Sequence, residues 1–487
     1  MKIGFDNDKY IRIQSEHIKE RIAQFRGKLY LELGGKLFDD HHASRVLPGF
    51  QPDSKLRMFS KISDQIEIVI VISAEDIEKN KVRADLGITY DEDVLRLREE
   101  FRNRGFFVGS VVITHYNGQH AADAFRQRLK RMDIKSYVHY LIDGYPHNVE
   151  LIASDEGFGQ NDYVETERPL VIVTAPGPGS GKMAVCLSQL YNEHKRGVEA
   201  GYAKFETFPV WNLPLKHPVN IAYEAATADL NDVNMIDPFH LEAYNKIAVN
   251  YNRDIEIFPV LNALFEGIYG TNPYKSPTDM GVNMVGFCIS DDNACCEASK
   301  DEIIRRYYDA TNKFADGADN ESEVQKIQLL FNQAKITTAT RKVTTVAKQR
   351  KQETGTPCAA IELADGTMIT SKSTDLLGPS AALLLNATKH LAGIDHNVRL
   401  IPQNMIEPIQ KTKINYLGGN NPRLHTDEVL VALSVLSQAD ENCRKALSQL
   451  PALRGCQVHT TVMLSEVDHK IFKKLGIGLT CEPVKKK

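Results

Sequence analysis

Residues 170–182 read Leu-Val-Ile-Val-Thr-Ala-Pro-Gly-Pro-Gly-Ser-Gly-Lys. The apolar first half predicts a buried strand, and the glycine-rich second half predicts a turn from which a helix begins at Met183. Main-chain amides in such a turn point at an anion, and a lysine side chain adds a mobile positive charge. The stretch therefore predicts a phosphate-binding loop on an α/β sheet. Its predicted ligand-binding residues are Gly177, Gly179, Ser180, Gly181 and Lys182.

The loop departs from the P-loop pattern at both ends. Pro176 stands where that pattern has its first glycine, and Met183 stands where it has the serine or threonine that holds Mg²⁺. The inner Gly-Pro-Gly-Ser-Gly-Lys is similar to the loop of nucleoside monophosphate kinases. Two alternatives stay open: the glycines serve only the close packing of a strand-to-helix turn, or the loop binds another anion such as a carboxylate.

The composition is that of a globular protein, with 487 residues of which 42% are hydrophobic and 25% charged. A net charge of −4 provides no basic surface for nucleic acid. No apolar run reaches the length of about 18 residues that a membrane span needs, and the first residues lack the apolar core of a signal peptide. We therefore expect a cytoplasmic protein with no nucleic-acid or membrane partner. We leave open whether it forms a homo-oligomer.

The eight cysteines are scattered and form no C-x-x-C pair. We therefore expect reduced thiols and no structural zinc site. The adjacent Cys295 and Cys296 are candidates for a reactive thiol, and the alternative for both is burial as small apolar side chains.

Strand-like and helix-like patterns alternate over the first 230 residues. The predicted strands are residues 28–33, 65–74, 106–114, 137–142, 149–153 and 170–174. Strands separated by helices at this spacing indicate βαβ units in a mainly parallel sheet. Ligands of such sheets bind beyond the carboxyl ends of the strands. We expect the loops after Leu33, Ala74 and Ala175 to lie at that edge.

The chain is predicted to have three domains. Residues 1–237 form an α/β phosphate-binding domain with a mainly parallel, P-loop-like sheet and flanking helices. Residues 238–355 form a helical domain, in which a helical run from Pro238 to Val249 is interrupted by Pro259 and then continues.

Residues 356–487 form a smaller C-terminal α/β domain. A β-hairpin is predicted around Asp365-Gly366, and an apolar helix follows it, in a faintly deaminase-like topology. That helix starts with Gly378-Pro379-Ser380, without the zinc ligands of a deaminase.

A second candidate site follows the strand that ends at Leu33. Gly34-Gly35 lets the backbone approach a ligand closely, and the lysine after it would neutralise an anion. Carboxylates and imidazoles beside a phosphate loop suit Mg²⁺ binding and proton transfer. The predicted catalytic residues are Lys36, Asp39, Asp40, His41 and His42. The alternative is ordinary turn chemistry before a solvated helix.

Two further polar segments are weaker candidates. Asp229, Asp232, Asp237 and His240 surround a helix start at Pro238. Asp237 is best placed as the N-cap, and a metal or base role stays open for the other three. Residues 115–120 form either a polar turn after a strand or part of the site.

Three motifs carry a resemblance that spans the whole chain. They are Leu-Glu-Leu-Gly-Gly-Lys-Leu-Phe-Asp-Asp-His-His-Ala-Ser-Arg-Val-Leu-Pro-Gly-Phe at 31–50, the loop with Cys-Leu-Ser-Gln-Leu-Tyr after it at 177–191, and Asn-Met-Ile-Asp-Pro-Phe-His at 234–240. With these motifs the chain resembles the bacterial family filed as domain of unknown function 1846, some of whose members are labelled ATP-dependent peptidases. The sequence argues against the peptidase part of that label, because it contains neither an H-E-x-x-H motif nor a G-x-S-x-G nucleophile elbow.

The favoured function is phosphoryl transfer or nucleotide-driven ligation, with ATP or another nucleotide and Mg²⁺ as cofactors and a small phosphorylated ligand as the partner. Lys182 and the loop amides would hold phosphates, and Lys36 would stabilise developing negative charge. Asp39 or Asp40 would hold Mg²⁺ or act as a base, and His41 or His42 would transfer a proton. An alternative is a non-catalytic phosphometabolite sensor or assembly scaffold. A weaker one is a hydrolase that uses a thiol or a carboxylate pair.

Overall fold

The computed structural model describes residues 2–35, 37–38, 40–83 and 86–484. They fall into two compact units. The N-terminal unit comprises residues 3–223 and 232–295, and the C-terminal unit comprises the described part of 296–487 together with residues 2 and 224–231. The division of the chain into three domains stays a prediction.

Helices and strands alternate along the N-terminal unit. Its elements in chain order are α1 (Asn7–Gln24), β1 (Leu29–Leu33), α2 (His41–Val46), α3 (Ser54–Ser60), β2 (Ile66–Ser73), α4 (Ala74–Glu78), β3 (Val82–Arg83), β4 (Ile88–Thr89), α5 (Tyr90–Asn103), β5 (Phe107–Tyr116), α6 (His120–Arg131), β6 (Ser136–Tyr140), α7 (Val149–Ile152), β7 (Leu170–Thr174), α8 (Lys182–Lys195), β8 (Gly201–Phe205), α9 (Pro218–Ala226), β9 (Asn234–Ile236), α10 (Pro238–Tyr244), β10 (Val249–Tyr251), α11 (Asn252–Tyr269) and α12 (Pro277–Met280).

The centre of this unit is a sheet in which, among the described residues, six strands lie in the order β6-β5-β2-β7-β1-β8. Every neighbouring pair is parallel. The predicted α/β class with a mainly parallel sheet is confirmed. Strands β1, β2 and β7 are buried along their whole length, as expected for a sheet covered by helices on both faces.

Side chains alternate between the two faces of the sheet. Ile66, Ile68, Ile70 and Ile72 of β2 face a first layer, in which α1, α3, α5 and α6 pack. Val69 and Val71 of the same strand face a second layer, which contains α8 and α11. The apolar runs of the sequence therefore form one sheet between two helical layers.

The chain leaves β1 and β7 in opposite directions. From β1 it passes through α2 and α3 to β2, and α3 packs in the first layer. From β7 it passes through α8, in the second layer, and crosses β1 to reach β8. Neighbouring strands with diverging connections leave a crevice beyond their carboxyl ends, which is where ligands of open α/β sheets bind.

The C-terminal unit contains a smaller sheet with its own helices. The elements from here to the end of the chain are α13 (Asp292–Ala315), α14 (Glu321–Ala334), α15 (Lys342–Thr354), β11 (Cys358–Glu362), β12 (Met368–Lys372), α16 (Pro379–Leu391), α17 (Gln403–Asn415), α18 (Thr426–Leu436), α19 (Glu441–Leu447), β13 (Gln457–Thr460), α20 (Glu466–Lys474) and β14 (Gly478–Cys481). The strand order is β12-β11-β13-β14. Strands β11 and β12 form the predicted hairpin.

Three local predictions are wrong. Residues 149–153, predicted as a strand, contain the short helix α7, because the Asn148 side chain caps its amides by accepting from Leu151 N. The helix from Pro238 ends at Tyr244, since Asn245 adopts the left-handed conformation, and Val249 belongs to β10. Pro259 does not interrupt the chain's helical course but lies inside the continuous helix α11.

Within the described part of the chain, no helix combines the length and the apolar content that crossing a bilayer requires. All eight cysteines lie in that part, and none of them forms a disulfide.

Candidate functional site

The glycine-rich loop connects the carboxyl end of β7 to α8. It spans residues 175–181 and contains two left-handed residues, Gly179 with φ 72° and Gly181 with φ 82°. Only glycine adopts this backbone region without a steric cost. Gly181 is also the N-cap of α8. Since glycine has no side chain, it cannot accept a hydrogen bond from the first amides of the helix.

The main-chain amides of this loop are available to a ligand. Within the described residues, the amides of Gly179, Gly181, Lys182 and Met183 donate a hydrogen bond to no protein acceptor. The positive end of the dipole of a 14-residue helix lies at the same place. Lys182 is half-buried and forms no ion pair with a described residue. The arrangement suits an anion.

The loop is held in place by side chains from neighbouring elements. The Thr114 hydroxyl, at the end of β5, donates to the Ser180 carbonyl at 2.7 Å. A side chain at Gly177 would overlap the Tyr90 phenol, so this glycine permits a close approach. Gly177 therefore has a packing role that is independent of any ligand, and its contact with a phosphate stays a prediction.

Ser180 contributes a buried hydroxyl to the loop. The residue is 2% exposed, and its Oγ has no hydrogen-bond partner among the described residues. A buried polar group without a partner costs free energy comparable to a lost hydrogen bond. A ligand or an ordered water in the loop would remove that cost.

The second predicted site lies at the carboxyl end of β1, next to β7 in the sheet. Lys36 and Asp39 lie outside the described residues. Asp40 caps α2 by accepting from Ala43 N at 3.1 Å and forms a 2.9 Å ion pair with Lys55. Burial alone would raise the pKa of Asp40, but the Lys55 ammonium outweighs it and keeps that pKa below its ordinary value.

The two predicted histidines begin helix α2. His42 packs edge-on against Phe208, with the ring centroids 5.2 Å apart. His41 lies in the first turn, on the exposed side. Catalytic roles for both, as for Asp40, stay predictions, while the contacts of Asp40 give it a structural role.

A charged cluster at the ends of β1 and β8 is not among the sequence predictions. Its members are Glu32, Tyr202, Lys204, Glu206 and Asp254. Lys204 is held by both carboxylate oxygens of Asp254, at 2.8 and 2.7 Å, and lies 3.4 Å from the Glu206 carboxylate. On the neighbouring strand, Glu32 accepts a 2.6 Å hydrogen bond from the Tyr202 phenol. Glu32 could have been noticed in the sequence, because it is a charged residue between two leucines of a strand that is otherwise apolar. Strand β8 could have been noticed because Tyr202, Lys204 and Glu206 recur at every second position, as side chains on one face of a strand do.

Burial and the neighbouring charges shift the pKa values of several groups in this cluster. Burial raises the pKa of Glu206 above its ordinary value, and the nearby Asp254 carboxylate acts in the same direction. Burial opposes the charge of Lys204, but Asp254 and Glu206 outweigh it and raise the pKa of the ammonium. Burial and the Glu32 carboxylate raise the pKa of Tyr202. Such shifts at the carboxyl edge of a sheet are typical of functional sites.

The remaining candidates have structural contacts. Asp237 caps α10 by accepting from His240 N at 3.0 Å, and it also accepts from the Thr278 hydroxyl at 2.6 Å. Its predicted N-cap role is confirmed. His115, at the end of β5, is 3.1 Å from the Ser73 hydroxyl at the end of β2.

Cys295 is buried, and its thiol donates to the Gly4 carbonyl at 3.3 Å. The adjacent Cys296 is half-buried.

Comparison with known families assigns the chain. The family model for the N-terminal part of a domain of unknown function, DUF1846, matches residues 3–335, and the model for its C-terminal part matches residues 339–487. The chain belongs to the DUF1846 family. The resemblance drawn from the three sequence motifs is confirmed.

Curated relatives of this DUF1846 protein are similar over nearly their whole length. The UPF0371 protein of Corynebacterium urealyticum is 58% identical over 482 residues, which are 99% of this chain and 97% of the relative. A UPF0371 protein of Streptococcus uberis is 55% identical over 483 residues, or 99% and 98%. One of Corynebacterium diphtheriae is 58% identical over 482 residues, or 99% and 97%. These names state no activity, so the functional argument rests on the geometry.

Proposed function

We propose that this DUF1846 protein binds a phosphorylated small molecule, in the first place a nucleotide, at residues 176–183, which comprise the glycine-rich loop from Pro176 onward and the first two residues of α8. Phosphoryl transfer or nucleotide-driven ligation is the reaction class that we favour. The observation that carries the proposal is the set of amides at the start of α8 that donate to no acceptor among the described residues, at the crevice between the ends of β7 and β1.

The chemistry of the loop favours a phosphate over other anions. Its amides present several donors within one turn of chain, and a tetrahedral phosphate has several acceptor oxygens to match them. Lys182 supplies a compact charge that balances part of the phosphate's charge. The buried Ser180 hydroxyl adds a further donor that lacks a partner in the described structure.

A second candidate function is a phosphometabolite sensor, and Met183 favours it. A methionine thioether does not ligate the hard cation Mg²⁺, which prefers oxygen ligands. The loop therefore lacks the hydroxyl with which P-loop enzymes hold the metal. A protein that holds a phosphate without this anchor would bind its ligand and release it unchanged.

The first test measures thermal stabilisation by inorganic phosphate and by ATP, with and without Mg²⁺. A ligand at 100 times its Kd adds about 2.7 kcal/mol to the free energy of unfolding. We expect Lys182→Ala to lose most of this stabilisation. Lys195→Ala is the matched control, because Lys195 lies at the other end of the same helix, about 20 Å away. Equal stabilisation of both variants would place the ligand elsewhere.

The same experiment compares alanine variants of two glycines, one in the loop and one just after the other end of α8. Gly179 and Gly197 both have φ near 70° and open space where a side chain would lie. Alanine costs roughly 1–2 kcal/mol of stability at either position, because the left-handed backbone disfavours a Cβ. Only Gly179→Ala should weaken phosphate binding, by about tenfold.

Turnover separates the two candidate functions. Conversion of ATP to ADP or AMP in the presence of Mg²⁺ and small phosphorylated metabolites supports the enzyme. Saturable binding of ATP that leaves it unchanged under the same conditions supports the sensor.

A further inference from the structure

The sheet register places the charged cluster beside the phosphate loop. Val173, Glu32 and Lys204 lie in one row across β7, β1 and β8. All three side chains point into the second layer, since Tyr30 and Tyr202, two residues earlier on their strands, belong to its core. This is the layer that contains α8, the helix whose first amides form the loop.

The next row contains Gly34 on β1 and Glu206 after β8. The ladder continues to this row, because Gly34 N donates to the Phe205 carbonyl at 2.8 Å. A Cβ on Gly34 would overlap the Cγ, Cδ and Oε1 atoms of Glu206. The Glu206 side chain therefore leans over β1, from β8 toward β7.

The position of the Glu206 carboxylate over β1 limits the length of a ligand that contacts both this carboxylate and the loop. Adjacent strands are about 4.8 Å apart, so β7 and β8 are separated by about 10 Å. A carboxylate lying over the intervening strand is about one strand spacing, roughly 5 Å, from β7 across the sheet, which is a distance that a short carbon chain can bridge. Lys204, 3.4 Å from this carboxylate, gives the position a donor next to an acceptor. A hydroxyl group is the ligand group that uses both, because it donates and accepts.

We propose that Glu206, leaning over Gly34 and paired with Lys204, forms a subsite for a hydroxyl group of a phosphate monoester whose phosphate is bound at the 176–183 loop. The substrate class is a short polyol or sugar phosphate, or the sugar-phosphate part of a nucleotide. This inference rests on the proposed phosphate site and adds the chemical group that the ligand carries beside its phosphate.

The test compares two probes by isothermal titration calorimetry, glycerol 3-phosphate and n-propyl phosphate. They share a three-carbon phosphate monoester, and only the first has hydroxyl groups. We expect the wild type to prefer glycerol 3-phosphate by at least about tenfold, because a hydrogen bond to a charged group contributes at least that much.

Two variants test whether Glu206 causes the preference. Glu206→Gln removes the charge, and Gly34→Ala pushes the Glu206 side chain away without changing it. In both, the ratio of the two Kd values should fall toward one. Gly267→Ala is the control, since a Cβ there meets no atom closer than 3.4 Å, and it should keep the wild-type ratio. Two variants of different kinds keep the test decisive if one of them fails to fold.

The outcomes separate the two proposals. If neither probe nor inorganic phosphate binds the wild type, the proposed function fails. If both probes bind the wild type equally, the phosphate site stands and the hydroxyl subsite is wrong. A preference that persists in both variants also contradicts the role of Glu206.

Discussion

The buried side chain of Lys55 stabilises the start of helix α2 through one ion pair. The residue is 1% exposed and pairs with Asp40, which also caps α2. Removing one partner of a buried ion pair leaves the other charge without compensation, which costs more than the pair contributes. The pair thus fixes the start of α2, and with it the loop that follows β1.

We expect Lys55→Met to lower the free energy of unfolding by about 3–5 kcal/mol, since Asp40 would remain charged and buried. Urea denaturation measures this change. Lys61→Met is the control, because Lys61 is exposed at the end of the same helix α3, and it should change the stability by less than about 0.5 kcal/mol. A loss below about 1 kcal/mol in Lys55→Met would show that Asp40 finds another partner.

Single residues were predictable from sequence where the cause is local. Asp237 directly precedes Pro238, and this order alone identifies a helix cap. The burial of Lys55 has no local cause, because its partner lies fifteen positions earlier in the chain and a lysine is usually solvated. The same holds for Lys204, whose partner Asp254 lies fifty positions away.

Among the elements, α11 contains a proline in its interior. Pro259 lies eight positions into an 18-residue helix. A proline there has no N–H to donate to the carbonyl of Ile255, and its ring crowds that carbonyl. The helix persists because its apolar side chains are buried in the second layer against α8 and the sheet.

Pro259→Ala should therefore raise the free energy of unfolding, by roughly 1–3 kcal/mol, because it restores one helical hydrogen bond. Chemical denaturation provides the measurement. Pro238→Ala is the comparison variant. Pro238 occupies the first turn of α10, where the amide has no helical acceptor, so no gain is expected there. A destabilised Pro259→Ala would contradict this expectation.

Elements were predictable where a long pattern decided them. Strands β2 and β7 occur within one residue of their predicted bounds, 65–74 and 170–174. Residues 149–153 were mistaken for a strand because a short apolar run has no period of its own, and the deciding residue was the cap Asn148. Strand β8 was missed because a lysine and a tyrosine alternate with small residues, and their burial depends on distant partners.

For the N-terminal unit as a whole, acid stability is set in part by His139. This residue of the edge strand β6 is 3% exposed, and its Nε2 lies 3.1 Å from the Asp162 carbonyl. Burial lowers the pKa of His139 from 6.5 to about 4. Between these two values the unfolded chain binds a proton that the folded chain does not. Stability is therefore complete above pH 6.5 and falls as the pH drops toward 4.

We expect the unit to lose about 2–3 kcal/mol through this histidine between pH 7 and pH 4.5. Urea denaturation of wild type and His139→Gln at the two pH values measures it, and the variant should show a difference smaller by that amount. His147→Gln is the control, since His147 is exposed, and it should retain the wild-type pH dependence. An unchanged difference in His139→Gln would show that other groups dominate.

The sequence predicted the class of the sheet but not its strand order. Apolar strands separated by helices suffice to indicate a parallel sheet, whereas the position of β7 between β1 and β2 depends on contacts between distant segments. The sequence predicted the loops at 34–35 and 175–181 as two separate candidates. Only the strand order shows that they follow neighbouring strands, β1 and β7. Sequence signals existed for single members of the charged cluster, but the pairing of Lys204 with Asp254 depends on the fold, because the two residues are fifty positions apart in the chain.

The central position of β7 also matters before the protein is complete. On the ribosome, β1 and β2 emerge long before the strand that separates them. Until Leu170 has been translated, both carry unpaired edges and apolar surfaces of the kind that drives aggregation. A nascent chain of this fold therefore exposes those edges until β7 is translated, and chaperones or fast translation through this interval would keep them apart.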